Sequence, residues 1–343
     1  MIKVLIIDDS AVVRHVLTKE LSKTPDIKVV GSASDPYFAR DRILACKPDV
    51  ITLDIEMPRM DGLTFLKKLM AQYPIPTIIV SSLTQQGSAM ALEAMYCGAV
   101  DVVCKPGTAY TVDSICSILI DQIRAASRID IHKLQRRFNT HRVKVQPTAM
   151  IATTDRILAI GASTGGTTAI ETVLLSMPPT SPPILIVQHM PEKFTKAFAD
   201  RLDKICEIEI KEAADGDSVL PGRALIAPGN HHMILRRNGS RYCVQLKDTP
   251  PVFHQRPSVE VLFQSMAMFA GNNAVGVLLT GMGTDGAQGL LAMRQAGAST
   301  IAQNQSTSVV WGMPGEAVKI GAAEYVLPLN KIADKALLLI NQT

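Results

Sequence analysis

The chain of 343 residues is poor in aromatic side chains and has no long uninterrupted hydrophobic run. Only 4% of its residues are aromatic while 47% are hydrophobic, so aliphatic side chains must fill its core. No run approaches the roughly 18 apolar residues of a membrane-spanning helix. Near the N-terminus, two aspartates directly follow a short apolar run, which is not the pattern of a signal peptide. We therefore expect a cytoplasmic protein that does not insert into a membrane.

Closely spaced cysteines are also missing. The six cysteines are scattered along the chain and form no Cys-x-x-Cys pair. This spacing argues against the common zinc and dithiol redox motifs. We expect reduced thiols, as in most cytosolic proteins.

A general excess of one charge is absent too. The net charge is +4, but the window from Arg124 to Lys144 alone holds seven Lys or Arg against one acid, Asp130. A nucleic-acid-binding protein carries its positive charge on a folded recognition surface. This window instead separates two regions with regular hydrophobic patterns. We interpret it as a solvated linker and expect no nucleic-acid partner.

The length favours two domains, and both halves have the pattern of α/β folds. In each half, short aliphatic runs alternate with helical patterns, which predicts βαβ units and a parallel sheet. In the second half, Met233–Arg237 and Tyr242–Leu246 flank Asn238-Gly239, which predicts a β-hairpin. We predict one α/β domain at residues 1–125, a basic linker at 126–153, and a doubly wound, mainly parallel α/β domain with a hairpin at 154–343.

Polar side chains follow the predicted strands of the first half. Asp8 and Asp9 close the first strand, Asp54 the third, Ser81 the fourth and Lys105 the fifth. Ligands of open α/β sheets bind outside the carboxyl ends of the strands, so we expect these side chains to converge. Clustered carboxylates repel one another, and a hard cation such as Mg²⁺ relieves that repulsion. Asp54 is then a candidate nucleophile toward phosphorus.

Resemblance to the receiver domain of two-component response regulators is carried by IIDDS, TLDIEMPRMDG, VSS and Lys105-Pro106. It covers about the first 125 residues and implies a flavodoxin-like (βα)5 fold. It also implies that a histidine kinase phosphorylates Asp54. Mg²⁺ would be held by Asp9, Asp54 and the backbone carbonyl of Glu56, with Asp8 assisting.

The same resemblance implies roles for two further residues. Ser81 would correspond to the hydroxyl that follows the phosphoryl group, and Lys105 to the cation that pairs with it. The chain departs from the family pattern at Val102 and Val103, where receiver domains often have an aromatic switch residue. An aromatic relay of the activation signal is therefore not expected.

The second half begins with an apolar run that leads into a turn with three glycines. Ser163 stands between Gly161 and Gly165, and such a turn leaves a serine hydroxyl exposed at the sheet edge. Backbone N–H groups at the start of the next helix are suited to hold an oxyanion or a phosphate. A glycine-rich turn after a first strand also begins many dinucleotide sites, so this signal alone leaves both interpretations open.

Two further strand ends favour hydrolysis. Ile184–Val187 leads to His189, and Ala274–Leu279 leads to Asp285. With Ser163 they are the residue types of a nucleophile, its general base and the group that orients the base. In α/β-hydrolases the acid precedes the histidine along the chain, so the order here predicts a different fold.

Other histidines of this half are expected to be structural. His231 and His232 precede the predicted hairpin and are interpreted as solvated loop residues. For His254 and Arg256, in a predicted loop, both substrate contact and plain exposure remain open.

Resemblance to the CheB family of chemotaxis receptor methylesterases is carried by GASTGGT, VQHMP, APGNHHM, RPSVEVLF, LLTGMGTDGA and GMPGEA. With the receiver-like half in front, it spans nearly the whole chain. It implies phosphorylation-activated hydrolysis of glutamyl methyl esters on chemotaxis receptors, and deamidation of receptor glutamines. By position, Ser163 is the nucleophile, His189 the general base and acid, and Asp285 its orienter. Thr164 and Met282 would neighbour the oxyanion.

The resemblance also implies the partners, which are the chemotaxis receptors as substrate and a chemotaxis histidine kinase as phosphodonor. We expect a monomer, and no cofactor or metal in the esterase half. Two alternatives come from other classes. A DNA-binding output domain would need a helix-turn-helix and a basic face. A nucleotide site at the Gly161 turn would need an acid after the next strand, which instead ends in Gln188-His189.

Overall fold

A computed structural model of the chain describes residues 1–82, 84–105, 112–129 and 156–341. It divides into two compact units, Met1–His141 and Arg142–Thr343. Most of the predicted linker at 126–153 lies outside the described residues, and the exact domain bounds stay a prediction. No helix in the described ranges combines the length and hydrophobicity that a membrane span requires.

The first unit is built on a five-stranded parallel sheet with the strand order β2-β1-β3-β4-β5. Its strands are β1 (Ile2–Ile7), β2 (Ile27–Ala33), β3 (Val50–Asp54), β4 (Thr77–Ser81) and β5 (Asp101–Cys104). Its helices are α1 (Ala11–Leu21), α2 (Pro36–Cys46), α3 (Gly62–Gln72), α4 (Gln85–Tyr96) and α5 (Val112–Ala126). This strand order is that of the flavodoxin-like fold and confirms the prediction.

Local sequence explains where these helices begin. Asp35 accepts hydrogen bonds from the N–H groups of Tyr37 and Phe38 at the start of α2, and Asp61 accepts one from Thr64 in α3. Such caps satisfy donors that have no partner within the helix. The central strands β3 and β4 are wholly buried, and β1 is buried from Val4 to Ile7, as expected for the continuous aliphatic runs of a parallel sheet.

The second unit is built on a seven-stranded parallel sheet with the order β14-β13-β12-β6-β7-β9-β8. Its strands are β6 (Ile157–Ala162), β7 (Ile184–Gln188), β8 (Glu209–Glu212), β9 (Arg223–Ile226), β12 (Ala274–Leu278), β13 (Ser299–Gln303) and β14 (Tyr325–Leu327). The predicted hairpin is confirmed as the antiparallel pair β10 (His232–Asn238) and β11 (Arg241–Lys247).

Helices follow most of these strands. They are α6 (Gly166–Leu174), α7 (Phe194–Asp203), α8 (Val259–Phe269), α9 (Ala287–Gln295), α10 (Met313–Lys319) and α11 (Ile332–Asn341). Short 3₁₀ turns lie at Gly271–Asn273 and Leu329–Lys331. The order of the strands decides where a site can form, since β12, β6 and β7 lie side by side. The direction of winding reverses between β6 and β12, which is the switch point where ligands of such sheets bind.

Candidate active site

The glycine-rich turn places Ser163 directly after β6. Its backbone N–H donates to the Thr280 carbonyl at 3.0 Å, which ties the turn to the end of β12. Its carbonyl accepts the N–H of Gly166 at 2.7 Å and the side-chain amide of Gln188 at 2.9 Å. The Ser163 backbone is therefore fixed by the ends of both neighbouring strands, β12 and β7. The residue as a whole is 9% exposed.

Two glycines let the chain pass close to this serine. Gly165 has φ +76°, a left-handed conformation that glycine adopts without strain, and it ends the turn before α6. Gly281 lies across from Ser163, where an added Cβ would be 2.7 Å from the serine Cβ and 2.3 Å from Met313 Sδ. Non-bonded carbons prefer separations of about 3.5–4.0 Å. The approach of the β12 loop to the serine therefore requires glycine.

His189 and Asp285 are in direct side-chain contact at this edge. His189 Nε2 lies 2.7 Å from Asp285 Oδ2, and both side chains are almost fully buried. The His189 N–H donates to the Ala162 carbonyl at 3.1 Å, which anchors the histidine to the residue before Ser163. The sheet thus brings the three predicted residues to adjacent strand ends.

The contact uses one particular ring nitrogen. Because Nε2 is occupied by Asp285, Nδ1 is the nitrogen of His189 that remains for a substrate proton. The hydrogen bonds of the described residues include none between the Ser163 hydroxyl and this ring. Nucleophile–base bonds are commonly loose without substrate and tighten in the Michaelis complex.

Residues at the start of α8 donate hydrogen bonds to the Asp285 carboxylate. Its Oδ1 accepts the Ser258 hydroxyl at 2.7 Å and the Glu260 N–H at 3.0 Å, and its Oδ2 accepts the Val259 N–H at 2.8 Å. Burial alone would raise the pKa of Asp285, but the His189 contact and these donors bring it below its usual value. The group is therefore a carboxylate, the form that stabilises an imidazolium.

The contribution of α8 to the site was not predicted. Ser258 is 27 residues from Asp285, and no local rule joins a helix start to a distant carboxylate. The only available signal was the segment RPSVEVLF, where a serine precedes an apolar run with Glu260 in the first turn.

The two residues predicted near the oxyanion, Thr164 and Met282, directly follow Ser163 and Gly281 in the chain. Thr164 is buried, and its carbonyl accepts the Thr280 hydroxyl at 3.0 Å. Met282 is half-buried between Gly281 and Gly283. Among the described residues, the backbone N–H of Met282 donates no hydrogen bond, so it is a candidate donor to a developing charge.

One expectation for this half is wrong. His232 was expected in solvent but is fully buried at the start of β10, where Nδ1 accepts the Ser258 N–H at 3.2 Å. Its Nε2 lies 3.1 Å from the Pro250 carbonyl. Packing of the hairpin against α8 buries the ring, which the short sequence pattern did not reveal. His231, in contrast, is partly exposed and pairs with Asp248.

In the first unit, Lys105 joins two of the predicted acids. Its Nζ lies 2.6 Å from Asp54 Oδ2 and 3.1 Å from Asp8 Oδ2. Burial raises the pKa of Asp54 to about 6, although Lys105 and the Glu56 N–H act in the opposite direction. Burial also raises the pKa of Asp8. The pocket is therefore short of positive charge for its carboxylates.

A divalent cation fits this donor set. Carboxylate oxygens of Asp8, Asp9 and Asp54 all lie within 4.8 Å of one another. Hard cations such as Mg²⁺ prefer oxygen ligands, and the buried carboxylates lack sufficient neutralising charge. The Glu56 N–H donates to Asp54 at 3.1 Å, so this residue lies beside the cluster.

Ser81 lies at the end of β4 but does not contact Asp54. Its hydroxyl donates to the Gly87 carbonyl at 3.3 Å. The neighbouring Ser82 hydroxyl donates to the Glu56 carboxylate at 3.0 Å. The contact of Ser81 with a phosphoryl group therefore stays a prediction.

Comparison with known proteins identifies the family to which each half of the chain is similar. The CheB methylesterase family matches residues 158–336, and the response regulator receiver domain family matches residues 4–115. The chain belongs to the CheB methylesterase family. Protein-glutamate methylesterase/protein-glutamine glutaminase 2 of Syntrophus aciditrophicus is 60% identical over 97% of this chain and 98% of its own. Protein-glutamate methylesterase/protein-glutamine glutaminase 4 of Anaeromyxobacter dehalogenans is 53% identical over 99% of this chain and 96% of its own.

A solved structure supports the fold of the second unit. The crystal structure of the Thermotoga maritima CheB methylesterase catalytic domain is 38% identical, with a TM-score of 0.53. It covers 55% of this chain and 100% of the Thermotoga chain. Family membership confirms the resemblance found in the motifs. The chain is a hydrolase with a receiver domain.

Proposed function

We propose that this chain hydrolyses glutamyl methyl esters on chemotaxis receptors, deamidates receptor glutamines, and so mediates sensory adaptation. The names of its relatives support the two reactions. The observation that carries the proposal is the 2.7 Å contact of His189 with Asp285 at the strand end beside Ser163. A base and its orienter next to a serine on a glycine turn are the parts of a serine hydrolase.

The reaction proceeds by two acyl transfers. His189 Nδ1 takes the proton of the Ser163 hydroxyl as its oxygen attacks the ester carbonyl, and backbone donors near Thr164 and Met282 stabilise the oxyanion. The imidazolium returns its proton to the departing methoxide, and methanol leaves. Water then attacks the acyl-serine with His189 again as base, which releases the glutamate and restores the serine. Each good oxyanion donor contributes about 10²–10³ in rate.

Asp285 acts through His189. Its carboxylate stabilises the imidazolium that forms in both steps, and its four donors keep it ionised without a metal. Because α8 fixes the carboxylate, the ring is held in one orientation before the substrate arrives.

Control belongs to the receiver unit. Asp54 accepts a phosphoryl group from a chemotaxis histidine kinase. The Lys105 ammonium then pairs with the transferred phosphoryl group, and the Ser81 hydroxyl contacts it as well. Asp9, Asp54 and the Glu56 carbonyl, with Asp8 nearby, would hold Mg²⁺. When bound, the ion neutralises charge on the phosphoryl oxygens.

We assign residues 1–125 to the receiver, 126–153 to a linker and 154–343 to the esterase of a cytoplasmic monomer.

Replacing the nucleophile tests the proposal. Ser163→Ala should abolish methanol release from methylated receptor while Asp54 still accepts phosphate from a small phosphodonor in Mg²⁺. The matched control is Ser240→Ala in the exposed hairpin turn, which should release methanol at the unchanged rate. Methanol release by Ser163→Ala at the wild-type rate would remove the serine from the mechanism.

A further inference from the structure

His232 is a buried imidazole that the proposed mechanism does not use. Both of its nitrogens have partners, since Nδ1 accepts the Ser258 N–H at 3.2 Å and Nε2 faces the Pro250 carbonyl at 3.1 Å. A ring that accepts at one nitrogen and donates at the other is neutral and has one tautomer. The environment of His232 thus selects a single protonation state.

Ser258 links this ring to the carboxylate of the site. Its hydroxyl donates to Asp285 Oδ1 at 2.7 Å, and the N–H of the next residue, Val259, donates to Oδ2 at 2.8 Å. Asp285 in turn meets His189 at 2.7 Å. A continuous path of hydrogen bonds therefore runs from His232 through the first turn of α8 to the catalytic histidine.

We propose that His232 is a positioning residue, which holds the Ser258 backbone so that α8 keeps Asp285 aligned with His189. The inference rests on the function proposed above. Its chemical basis is that a proton on Nδ1 would turn an acceptor into a donor facing the Ser258 N–H. The first turn of α8 would then lose its attachment, and the carboxylate would lose its fixed position.

The surroundings of His232 favour the neutral ring. Burial lowers the pKa of His232, and the Arg256 guanidinium acts in the same direction, against the Pro250 carbonyl and the Asp285 carboxylate. Arg256 faces the ring from the loop before α8, and Asp285 from the loop before α9. Lys247 on β11 is the register partner of His232 in the hairpin. The path is therefore intact near neutral pH and breaks only in acid.

Two substitutions of His232 distinguish the effect of its Nδ1 acceptor from the effect of its ring shape. His232→Phe keeps the ring but removes the acceptor, and His232→Asn offers an amide oxygen near the position of Nδ1 without a titrating group. In the full chain with methylated receptor, we expect His232→Phe to lower kcat about tenfold, equivalent to about 1.4 kcal/mol. KM should stay unchanged because the buried ring does not reach substrate. His232→Asn should restore most of kcat.

The pH profile provides the readout that a purely structural role would not move. In the wild type, a proton on His232 Nδ1 breaks the path, so the acid limb of kcat should fall more steeply than in His232→Asn. The Asn variant has no titrating group at this position, so its acid limb should be shallower. Circular dichroism at each pH shows over which range the protein is folded, and only that range is compared. If His232→Phe does not fold, the pH profile of His232→Asn alone tests the inference.

Two results would overturn the inference. One is a folded His232→Phe variant with the kcat of the wild type, and the other is an Asn variant with the acid limb of the wild type. A wild-type enzyme that releases no methanol would instead refute the proposed function. The two failures are thus distinguishable.

Discussion

The substitution Gly281→Ala tests how tightly Ser163, the proposed nucleophile, is held in place. In Gly281→Ala the new methyl group would lie 2.7 Å from Ser163 Cβ, 3.1 Å from Ser163 N and 2.3 Å from Met313 Sδ. Methionine is flexible and can move, but the serine backbone is fixed by hydrogen bonds to Thr280 and Gly166. To relieve the contact, the serine must shift by several tenths of an ångström.

This shift has an expected magnitude. A misplacement of about 1 Å can reduce the rate about 10²-fold, so we expect kcat to fall about tenfold or more. Overpacking against Met313 should also lower the free energy of unfolding by about 1–3 kcal/mol. The assay is methanol release from methylated receptor, together with thermal unfolding followed by fluorescence. The single tryptophan, Trp311, lies in the second unit and reports on it alone.

Two controls separate the two contacts. Gly283→Ala also places a methyl group in the β12 loop, but nothing lies within 4 Å of it, so kcat should fall far less despite the strain of φ +83°. Adding Met313→Ala to Gly281→Ala removes the sulfur contact, and kcat should not recover because the contact with Ser163 remains. A Gly281→Ala enzyme with the kcat of the wild type would refute the close packing of Ser163.

Two further predictions concern the buried carboxylates. Lys105→Met removes the cation that opposes burial at Asp54, so the pKa of Asp54 should rise further above about 6. Phosphorylation by a small phosphodonor at constant Mg²⁺ should then slow at neutral pH, and an unchanged pH midpoint would contradict the argument. The pKa of Asp285 is lowered from 3.8 on folding, so the unfolded chain binds more protons and stability falls as pH drops through the folded value. In Trp311-monitored unfolding, Asp285→Asn should lose less stability than the wild type below about pH 4.

Residue patterns predicted the parts of the fold that depend on local physics. Aliphatic runs marked the buried strands, and Asn238-Gly239 marked the hairpin. Polar residues after those runs marked both sites, because parallel strands end at one edge. The short strand β8 (Glu209–Glu212) has no apolar run to mark it, since three of its four residues are charged and it lies at the sheet edge. Such a strand is fixed by its pairing with β9 rather than by its own pattern.

Contacts between distant segments could not be predicted. The support of Asp285 comes from α8, and the burial of His232 comes from the same helix and Pro250. In each case the partner is 18 to 27 residues away, with no periodicity that relates the two. The rotamer of Ser81 is a similar case, because its hydroxyl depends on the Gly87 carbonyl of the next helix.

Asp285 and Asp54 show how a buried aspartate can suit either of the two tasks proposed for them. Asp285 accepts three donors from the start of α8 in addition to His189, so its pKa is lowered. Asp54 has one ammonium and one backbone donor, so burial prevails and its pKa rises to about 6. An orienting carboxylate must stay ionised and chemically silent, and saturating its oxygens achieves both. An attacking carboxylate must leave its oxygens available, and an incomplete set of donors leaves its charge to be stabilised by a cation.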